Sequence, residues 1–322
     1  MANYTLIEKA TEENFTEEAY LAANFDVAIA IKKGVAASGR QHFELFGKEE
    51  GRNIRLPIST IVDAKICKQE KVKPLLRNDM PYIETENLNF DFLSDDFRET
   101  YNIVDTDMVS SNIYEPFVLD LINKYEHGLI LDCGAGQRDI YYDNVVNLEI
   151  VDYDTTDVLA VGEQLPFKDN AFDALISLSV LEHVKDPFLC AKEIARVLKP
   201  GGELLCSVPF LQPYHGYPHH YYNMTSRGLE NLFDGLLITD KTDISPYGLP
   251  IWSLTWILRN WANGLKDEAK EEFLRMKVSE LLEEGDKYYH KAFVRELERE
   301  KNFELANATL LFAHKKNNLI FG

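Results

Sequence analysis

A glycine-rich turn follows a short apolar run in LILDCGAG, residues 129–136. The run ends in Asp132, and the turn consists of Gly134, Ala135 and Gly136. Glycine lets the backbone bend sharply and lets a ligand approach without meeting a Cβ. Such a turn at the carboxyl end of a buried strand is where doubly wound sheets bind ligands. A dinucleotide fingerprint would need a third glycine where this chain has Asp139, which argues against NAD.

A second acid, Glu149, lies near the end of the next apolar run, VVNLEIV. A carboxylate at this place can accept both hydroxyl hydrogen bonds of a ribose. Asp152 and Asp154 compete for the same role. The alternative for both aspartates is a solvated polar turn after the strand.

Histidine, tyrosine and asparagine side chains crowd the segment FLQPYHGYPHHYYNMT, residues 210–225. Histidine has a pKa of about 6.5 and can remove a proton at neutral pH. The candidate general bases are His215, His219, His220 and, in LEHV, His183. Two alternatives for the segment remain open, namely a divalent metal site formed by its histidines with a carboxylate, and a loop whose rings shape a pocket. For His183 the alternative is helix capping or packing.

Alternating strand and helix patterns predict an α/β fold with a parallel sheet. The predicted strands are 129–132, 145–151, 158–161, 174–178, 204–208, 236–244 and 303–313. A helix is predicted at 186–198, with Asp186 as its cap and Pro187 in its first turn. Another begins at Ser110 or Ser111, with its apolar residues on one face.

The N-terminal residues predict a small helical module. Three short helices lie within residues 11–52, with Thr16, Asp26 and Ser38 as caps and Gly34 and Gly47 as stops. Prolines interrupt the following stretch, which predicts a connector that wraps the next domain. We expect the module at 1–55, the connector at 56–108 and a larger domain at 109–322.

Three segments occur in the order and spacing of a known family: LDCGAG, VGEQLPFKDNAFDALISLSVLEHVKDP and EIARVLKPGGELLCSVPF. Through them, residues 110–244 resemble the class I S-adenosylmethionine-dependent methyltransferases, and residues 303–314 would complete the sheet. The resemblance implies a Rossmann-like α/β sheet, S-adenosylmethionine as cofactor, and methyl transfer to an acceptor.

The same resemblance implies roles for individual residues. Asp132 would orient the turn and the methionine amino group. The cofactor would be lined by Gly134 and Gly136, with Ala135 between them. Glu149 would hold the ribose. Glu163, Gln164 and Leu165 would lie beside the adenine, and Ser177 and Leu178 would flank the methionine part. The chain departs from the family in having Val161 before the adenine segment, Arg138 at a frequent glycine position, and only short connections on the cofactor half.

The stretch FTEEAYLAANFDVAIAIKKG, followed by HFELFGKEEGR, resembles a helical module at the front of bacterial polysaccharide-building enzymes. This second resemblance covers residues 15–52. A packing or docking unit is the alternative, since likeness of fold alone does not make a site.

A helical insert is expected at 250–301, before the last strand, and it holds Trp252, Trp256 and Trp261. It could cover the acceptor as a lid or form a homodimer surface. At least two of the tryptophans are expected to be ordinary core residues.

The composition limits the classes of partner and the cellular compartment that we expect. The formal net charge of −19 disfavours nucleic acid and anionic lipid surfaces. Four widely spaced cysteines without a CxxC pair argue against a disulfide framework or a zinc site. The sequence shows neither a signal-like N-terminus nor a membrane-span pattern, so we expect a cytoplasmic protein.

These observations predict O-methylation of a sugar or glycan intermediate with a histidine base. Two observations support this prediction. One is the N-terminal resemblance, and the other is a segment rich in rings that can stack on a sugar and in polar groups that can hydrogen-bond to its hydroxyls. One alternative is a small-molecule O- or N-methyltransferase of secondary metabolism. Another is an inactive methyltransferase fold that binds a partner or metabolite. The sequence assigns no metal ligand.

Overall fold

The computed structural model describes residues 2–104, 110–111, 113–216 and 218–311. The chain divides into two compact units, Met1–Val208 with Tyr217–Asp240, and Pro209–Gly216 with Lys241–Gly322. Every helix in the described ranges is too short or too polar to cross a membrane. All four cysteines are described, and each is a free thiol.

The secondary structure elements are numbered in chain order. The strands are β1 (Asn3–Thr5), β2 (Ile7–Lys9), β3 (Asn53–Arg55), β4 (Ile83–Glu84), β5 (Phe90–Asp91), β6 (Ile130–Cys133), β7 (Ile140–Tyr142), β8 (Val145–Glu149), β9 (Val158–Leu159), β10 (Phe172–Leu178) and β11 (Leu198–Ser207). The helices are α1 (Glu17–Ala23), α2 (Phe25–Lys32), α3 (Gly39–His42), α4 (Lys48–Glu50), α5 (Val62–Val72), α6 (Asp95–Tyr101), α7 (Pro116–Lys124), α8 (Pro187–Val197), α9 (Ser226–Leu232), α10 (Pro250–Asn263), α11 (Asp267–Arg275), α12 (Ala292–Arg295) and α13 (Arg299–Glu304). One π-helical segment, Phe43–Gly47, joins α3 to α4.

The main sheet of the first unit has seven strands in the order β11-β10-β6-β8-β9-β5-β4. Its neighbouring strands are parallel except for the β4–β5 pair. From β6 the chain moves through β8 and β9 to one side of the sheet, and then returns to form β10 and β11 on the other. Such a reversal opens a crevice at the carboxyl ends of the two central strands, here β6 and β10. The predicted α/β fold is therefore confirmed.

Helix α8 shows how the sequence covers this sheet. Asp186 caps it by accepting a hydrogen bond from the Leu189 amide at 2.9 Å, and Pro187 occupies the first turn, as predicted. The apolar face of the helix consists of Cys190, Ala191, Ile194 and Val197, all buried in the main core. This spacing of one, four and seven residues is the stripe of a helix packed on one side.

The connections after β6 and β8 are unusually short. Parallel strands are normally joined by a dozen or more residues that include a helix, whereas only β7 lies between β6 and β8. Arg55, at the end of β3, supports these connections instead. Its guanidinium donates to both carboxylate oxygens of Asp154 at 2.7 and 2.8 Å and to the Arg138 carbonyl at 2.9 Å.

Two lysines of α5 add to this support from inside the protein. The Lys65 ammonium donates to the carbonyls of Asp154 and Thr156 at 3.0 and 2.8 Å. The Lys68 ammonium donates to the Val145 carbonyl at 2.6 Å and to the Asp157 carboxylate at 2.9 Å. Both lysines are fully buried, and burial lowers the pKa of Lys68 to about 8. We call Arg55, Lys65 and Lys68 the buried cation clamp.

The stretch predicted as a connector also extends the sheet. Strand β5 pairs in parallel with β9, with Phe90 opposite Val158, and β4 pairs antiparallel with β5. Each of these strands has two residues, too few to show the period-two pattern from which strands are predicted. The N-terminal residues contribute further pairs, β1 with β7 and β2 with β3.

The N-terminal helices are present where the sequence predicts them. Thr16 caps α1 and Ser38 caps α3, each through its hydroxyl oxygen. Asp26 is not the cap of α2, because that helix begins at Phe25, and its carboxylate instead binds Arg52 with two hydrogen bonds of 2.8 Å. These helices belong to the same compact unit as the sheet. The domain boundaries at 55 and 108 stay a prediction.

Two predicted strands are wrong. Residues 236–244 form turns and irregular backbone, with Ile238 92% exposed. Residues 303–304 end α13, residues 305–311 form no strand, and residues 312–313 lie outside the described ranges. An apolar run becomes a strand only where the edge of a sheet accepts its backbone hydrogen bonds. In the described part of this sheet, the terminal strand β11 pairs with β10 alone. The predicted helix start at 110–111 is also wrong, because α7 begins at Pro116.

The second unit is helical, as the predicted insert requires. Its apolar core consists of Ala262, Leu265, Ala269, Phe273, Phe293 and Leu297. Trp261 packs against this core and stacks on Phe273 at 5.8 Å between ring centres. Trp256 is half-buried and Trp252 is 53% exposed. The core interpretation therefore fits Trp261 best.

Replacing Lys68 with methionine tests the buried cation clamp. We expect Lys68→Met to lower the free energy of unfolding by about 3–5 kcal/mol, because removing one partner leaves the buried Asp157 carboxylate without its cation. Urea denaturation at pH 7 measures this change. Lys71→Met, on the exposed side of α5, is the matched control and should change stability by less than about 0.5 kcal/mol. Equal effects of the two substitutions would contradict a role for the clamp.

Candidate active site

The glycine turn after β6 is shaped by close contacts that require glycine. Gly134 and Gly136 have φ angles of 81° and 66°, in the left-handed region. A Cβ on Gly134 would lie 2.4 Å from a methyl carbon of Val180, and one on Gly136 would lie 2.6 Å from the Ser110 carbonyl oxygen. The turn is therefore packed against the loop that follows β10.

The amides of the turn are bound within the protein. Gly134 and Ala135 both donate to the Leu148 carbonyl of β8, at 2.9 and 3.0 Å. The Gly136 amide donates to Glu149 Oε2 at 2.8 Å. The turn thus presents a shaped backbone with a carboxylate beside it, rather than a row of amides for a phosphate.

Asp132 is fully buried at the end of β6. Its Oδ2 accepts hydrogen bonds from the Tyr114 hydroxyl and from Arg138, at 2.6 Å from Nη2 and 3.2 Å from Nε. Among the described residues, no donor reaches Oδ1. An unsatisfied buried acceptor costs about 1–3 kcal/mol, which a ligand N–H could recover. This geometry suits the expected contact with a methionine amino group.

Glu149 is the acid that faces the turn. Besides the Gly136 amide, it accepts a hydrogen bond from the Ile150 amide at 2.7 Å, and burial raises its pKa. Each carboxylate oxygen retains capacity for another donor, as a ribose would require. Of its two competitors, Asp152 accepts hydrogen bonds from the Asn87 and Asn89 side chains, and Asp154 is held by the buried cation clamp.

The segment expected beside the adenine also has structural contacts. Glu163 is buried and accepts a hydrogen bond from the Lys185 amide at 3.0 Å, ahead of α8. Gln164 accepts one from the Tyr101 hydroxyl at 3.3 Å. Leu165 is wholly buried and belongs to the main core. The adenine contacts of these residues stay predictions.

Strand β10 ends with the two residues expected at the methionine part. Ser177 is fully buried, and no described group hydrogen-bonds to its hydroxyl oxygen. Leu178 is half-buried and lies next to the apolar cluster around α7. Two residues further along, Val180 contacts the glycine turn.

Glu182, in the same loop, is a candidate that the sequence pattern does not single out. Its side chain is fully buried, and neither carboxylate oxygen has a hydrogen-bond partner among the described residues. Burial raises its pKa to about 8. Its backbone carbonyl accepts hydrogen bonds from the amides of Tyr221 and Tyr222 at 2.7 and 3.2 Å. The acid in LEHV was visible in the sequence, but nothing in the sequence indicated its complete burial.

His183 has a defined orientation. Its Nδ1 lies 2.5 Å from the His219 carbonyl, so Nδ1 carries the proton of a neutral ring and Nε2 carries the lone pair. Nε2 lies 3.7 Å from Glu182 Oε1, and 15% of the side chain is exposed. This arrangement suits a general base better than helix capping.

The other candidate histidines differ from His183. His219 is half-buried, and its ring hydrogen-bonds to Asn102 at 2.9 Å. His220 Nε2 lies 2.9 Å from the Asn223 side-chain oxygen, and its ring centre is 5.7 Å from that of His183. His215 belongs to the second unit, where its ring lies 5.3 Å from Trp256. The structure thus brings His183, His219 and His220 together, while Tyr217 lies outside the described residues.

Part of the chain is similar to known methyltransferases. Residues 132–206, from the end of β6 to β11, match a family model described as a methyltransferase domain. The chain is 31% identical over 112 residues to the ubiquinone/menaquinone biosynthesis C-methyltransferase UbiE of Haemophilus ducreyi, covering 35% of this chain and 42% of that protein. It is 41% identical over 61 residues to an uncharacterized methyltransferase of Mycobacterium sp., covering 19% and 24%. The matched stretches span less than half the length of these relatives.

Two solved structures are similar over part of the chain. The YcgJ protein of Bacillus subtilis has a TM-score of 0.32 and 16% identity, covering 49% of this chain and 88% of that one. The 1,6-didemethyltoxoflavin-N1-methyltransferase of Burkholderia thailandensis, with bound S-adenosylhomocysteine, has a TM-score of 0.29 and 15% identity, covering 44% and 88%. The strand order of the main sheet gives the fold, and the matched residues 132–206 include the glycine turn, β8, β9 and β10.

The raised pKa of Glu182 predicts a pH dependence of stability. A carboxyl group that has a pKa of about 8 when folded and 4.5 when unfolded binds more protons in the folded state between those values. Its contribution is full below pH 4.5 and is lost as the pH rises towards 8. We therefore expect the melting temperature to fall less between pH 5 and pH 8 in Glu182→Gln than in the wild type. Parallel curves for both proteins in scanning calorimetry would contradict this expectation.

Proposed function

We propose that this chain is an S-adenosylmethionine-dependent methyltransferase that methylates a hydroxyl oxygen of a sugar or glycan intermediate, with His183 as general base. The observation that carries the proposal is the methyltransferase domain match at 132–206, which begins at Asp132 near the end of β6 and includes all of β10, the other central strand of the crevice. The carboxyl ends of these strands are where a doubly wound sheet binds its ligand.

The charges around the glycine turn support S-adenosylmethionine as the cofactor. Asp132 Oδ1 would accept from the methionine ammonium, and the Glu149 carboxylate would accept from the ribose hydroxyls. The family resemblance assigns these same contacts to the two residues. The buried Ser177 hydroxyl and Leu178, on β10, would lie along the methionine chain.

Methyl transfer is an in-line displacement that depends mainly on alignment and on a deprotonated acceptor. When bound, S-adenosylmethionine would supply the methyl group, and the electron pair of the broken bond between methyl carbon and sulfur would remain on the sulfur of S-adenosylhomocysteine. A lone pair of the hydroxyl oxygen forms the new O–CH3 bond, and the hydroxyl proton moves to His183 Nε2. The Nδ1 contact with the His219 carbonyl supports this role, because it fixes the tautomer that can accept a proton at Nε2.

Three features support a sugar as the acceptor. The 218–224 segment supplies the rings of His219, His220, Tyr221 and Tyr222, and such rings can stack on a sugar face. Neither buried oxygen of Glu182 has a hydrogen-bond partner among the described residues, and sugars carry many hydroxyl groups. The resemblance of residues 15–52 to a module of polysaccharide-building enzymes agrees with this acceptor class.

Titration calorimetry with S-adenosylmethionine and S-adenosylhomocysteine tests the cofactor half. We expect saturable binding that is roughly 10- to 100-fold weaker in Glu149→Ala, because hydrogen bonds to a charged group are lost. Asp152→Ala removes a neighbouring acid that is bound to asparagines and should leave the affinity unchanged. No binding by the wild type would contradict the proposal, as would equal losses in both variants.

Transfer of a radiolabelled methyl group to a panel of glycosides and nucleotide sugars tests the chemistry. On any accepted substrate, we expect His183→Gln to lower kcat by at least about 100-fold, the usual contribution of a general base, without changing cofactor affinity. His127→Gln, which alters an exposed ring, is the control. Methylation of phenols or amines but of no sugar would reject the acceptor class, and full activity of His183→Gln would reject the base.

A further inference from the structure

We propose that Glu182 binds the acceptor by hydrogen bonding to two neighbouring hydroxyl groups of its sugar ring. This inference rests on the proposed function and adds a residue that recognises the substrate. A carboxyl group buried without partners is costly unless a ligand satisfies it. Neither oxygen of Glu182 has a hydrogen-bond partner among the described residues, and the residue is 0% exposed.

The position of Glu182 places it next to the reacting groups. Val180 contacts the glycine turn, and Glu182 follows two residues later, so their Cα atoms are at most about 7 Å apart. His183 is the next residue, and its Nε2 lies 3.7 Å from Glu182 Oε1. A sugar held by Glu182 would therefore present a hydroxyl to the proposed base.

The aromatic segment is fastened to the same residue. The amides of Tyr221 and Tyr222 donate to the Glu182 carbonyl, and the His219 carbonyl lies 2.5 Å from His183 Nδ1. These contacts hold the backbone of the segment beside Glu182 and His183. A ring face and a carboxyl group held together form the usual pair of contacts for a sugar, stacking on one side and hydrogen bonds at the edge.

Two other glutamates of the first unit, the buried Glu163 and the half-buried Glu193, already have partners. Glu163 accepts from the backbone amide of Lys185. Glu193 binds Arg196 and accepts from the Leu165 amide. Among these three glutamates, Glu182 is the one whose oxygens await a ligand.

In the ligand-free chain, the protonated form of Glu182 matches hydroxyl groups. Because burial raises its pKa to about 8, the group is mostly protonated at pH 7 and offers one donor together with acceptor lone pairs. Neighbouring hydroxyls are donors and acceptors too, and they match this pattern. An ammonium or a metal ion would instead require the charged carboxylate.

Two substitutions of Glu182 distinguish a ligand that carries hydroxyl groups from a cationic ligand. Glu182→Met keeps the approximate shape of the side chain and removes its hydrogen-bonding groups, whereas Glu182→Gln keeps a donor and an acceptor without a charge. Neither should unfold the protein, since replacing an unsatisfied buried polar group by an apolar one is neutral or stabilising. Glu193→Gln is the matched control.

Saturation-transfer NMR measures the binding of three probes: methyl α-D-mannopyranoside, methyl β-D-galactopyranoside and methyl β-D-glucopyranoside. The protein is first saturated with S-adenosylhomocysteine. We expect at least one glycoside to bind, and Glu182→Met and full O-methylation of that glycoside each to weaken binding roughly tenfold. Glu182→Gln should retain most of the affinity, and Glu193→Gln all of it.

Three results would overturn the inference: wild-type affinity in Glu182→Met, equal losses in Glu182→Gln and Glu182→Met, or no binding of any glycoside to the wild type. Equal losses would indicate a cationic occupant. Calorimetry with S-adenosylhomocysteine on the same samples separates this outcome from failure of the proposed function. If the cofactor binds but any of these three results is obtained with the glycosides, only the proposed role of Glu182 is wrong. If the cofactor does not bind, the proposed function fails as well.

Discussion

The short connections after β6 and β8 are the constraint on which the rest of this fold depends. They leave the parallel strands without the helices that usually cover a sheet face, and the carbonyls of residues 145–156 need donors from elsewhere. Arg55, Lys65 and Lys68 supply these donors from the preceding part of the chain. The N-terminal region therefore takes part in building the sheet, in addition to any binding role of its helices.

This constraint extends to the glycine turn. Arg55 holds the carbonyl of Arg138, and the Arg138 guanidinium in turn holds Asp132 and lies 4.1 Å above the centre of the Tyr114 ring. A residue that looks like a departure from the family pattern, an arginine at a frequent glycine position, thus fixes the acid at the end of β6. Because Arg138 and Tyr114 occupy one oxygen of Asp132, its other oxygen keeps a defined direction.

The sequence was sufficient to predict features with a local cause. Gly134 and Gly136 are set by backbone geometry, Asp186 by helix capping, and Glu149 by its place at a strand end. Features that depend on distant partners were not predictable. Nothing in the α5 sequence distinguishes Lys68, which is buried, from Lys71, which is exposed, and the two residues of β5 become a strand only because β9 accepts them. The apolar run at 236–244 shows the reverse case, a local strand pattern without an edge to join.

The buried polar groups near the crevice, Glu182 among them, affect both the stability of the fold and the proposed function. Asp132 Oδ1, the Ser177 hydroxyl and both Glu182 oxygens are buried without partners among the described residues, and all lie at or just beyond the carboxyl ends of β6 and β10. Unsatisfied polar groups scattered through a core would only lower stability, and folded proteins contain few of them. These four atoms are four of the eight buried side-chain atoms that lack a hydrogen-bond partner among the described residues, so part of this energetic cost lies where a ligand can remove it. In the proposed enzyme, Asp132 and Ser177 would form hydrogen bonds with the cofactor, and Glu182 would form them with the acceptor. The same buried groups would then determine the affinity for both ligands.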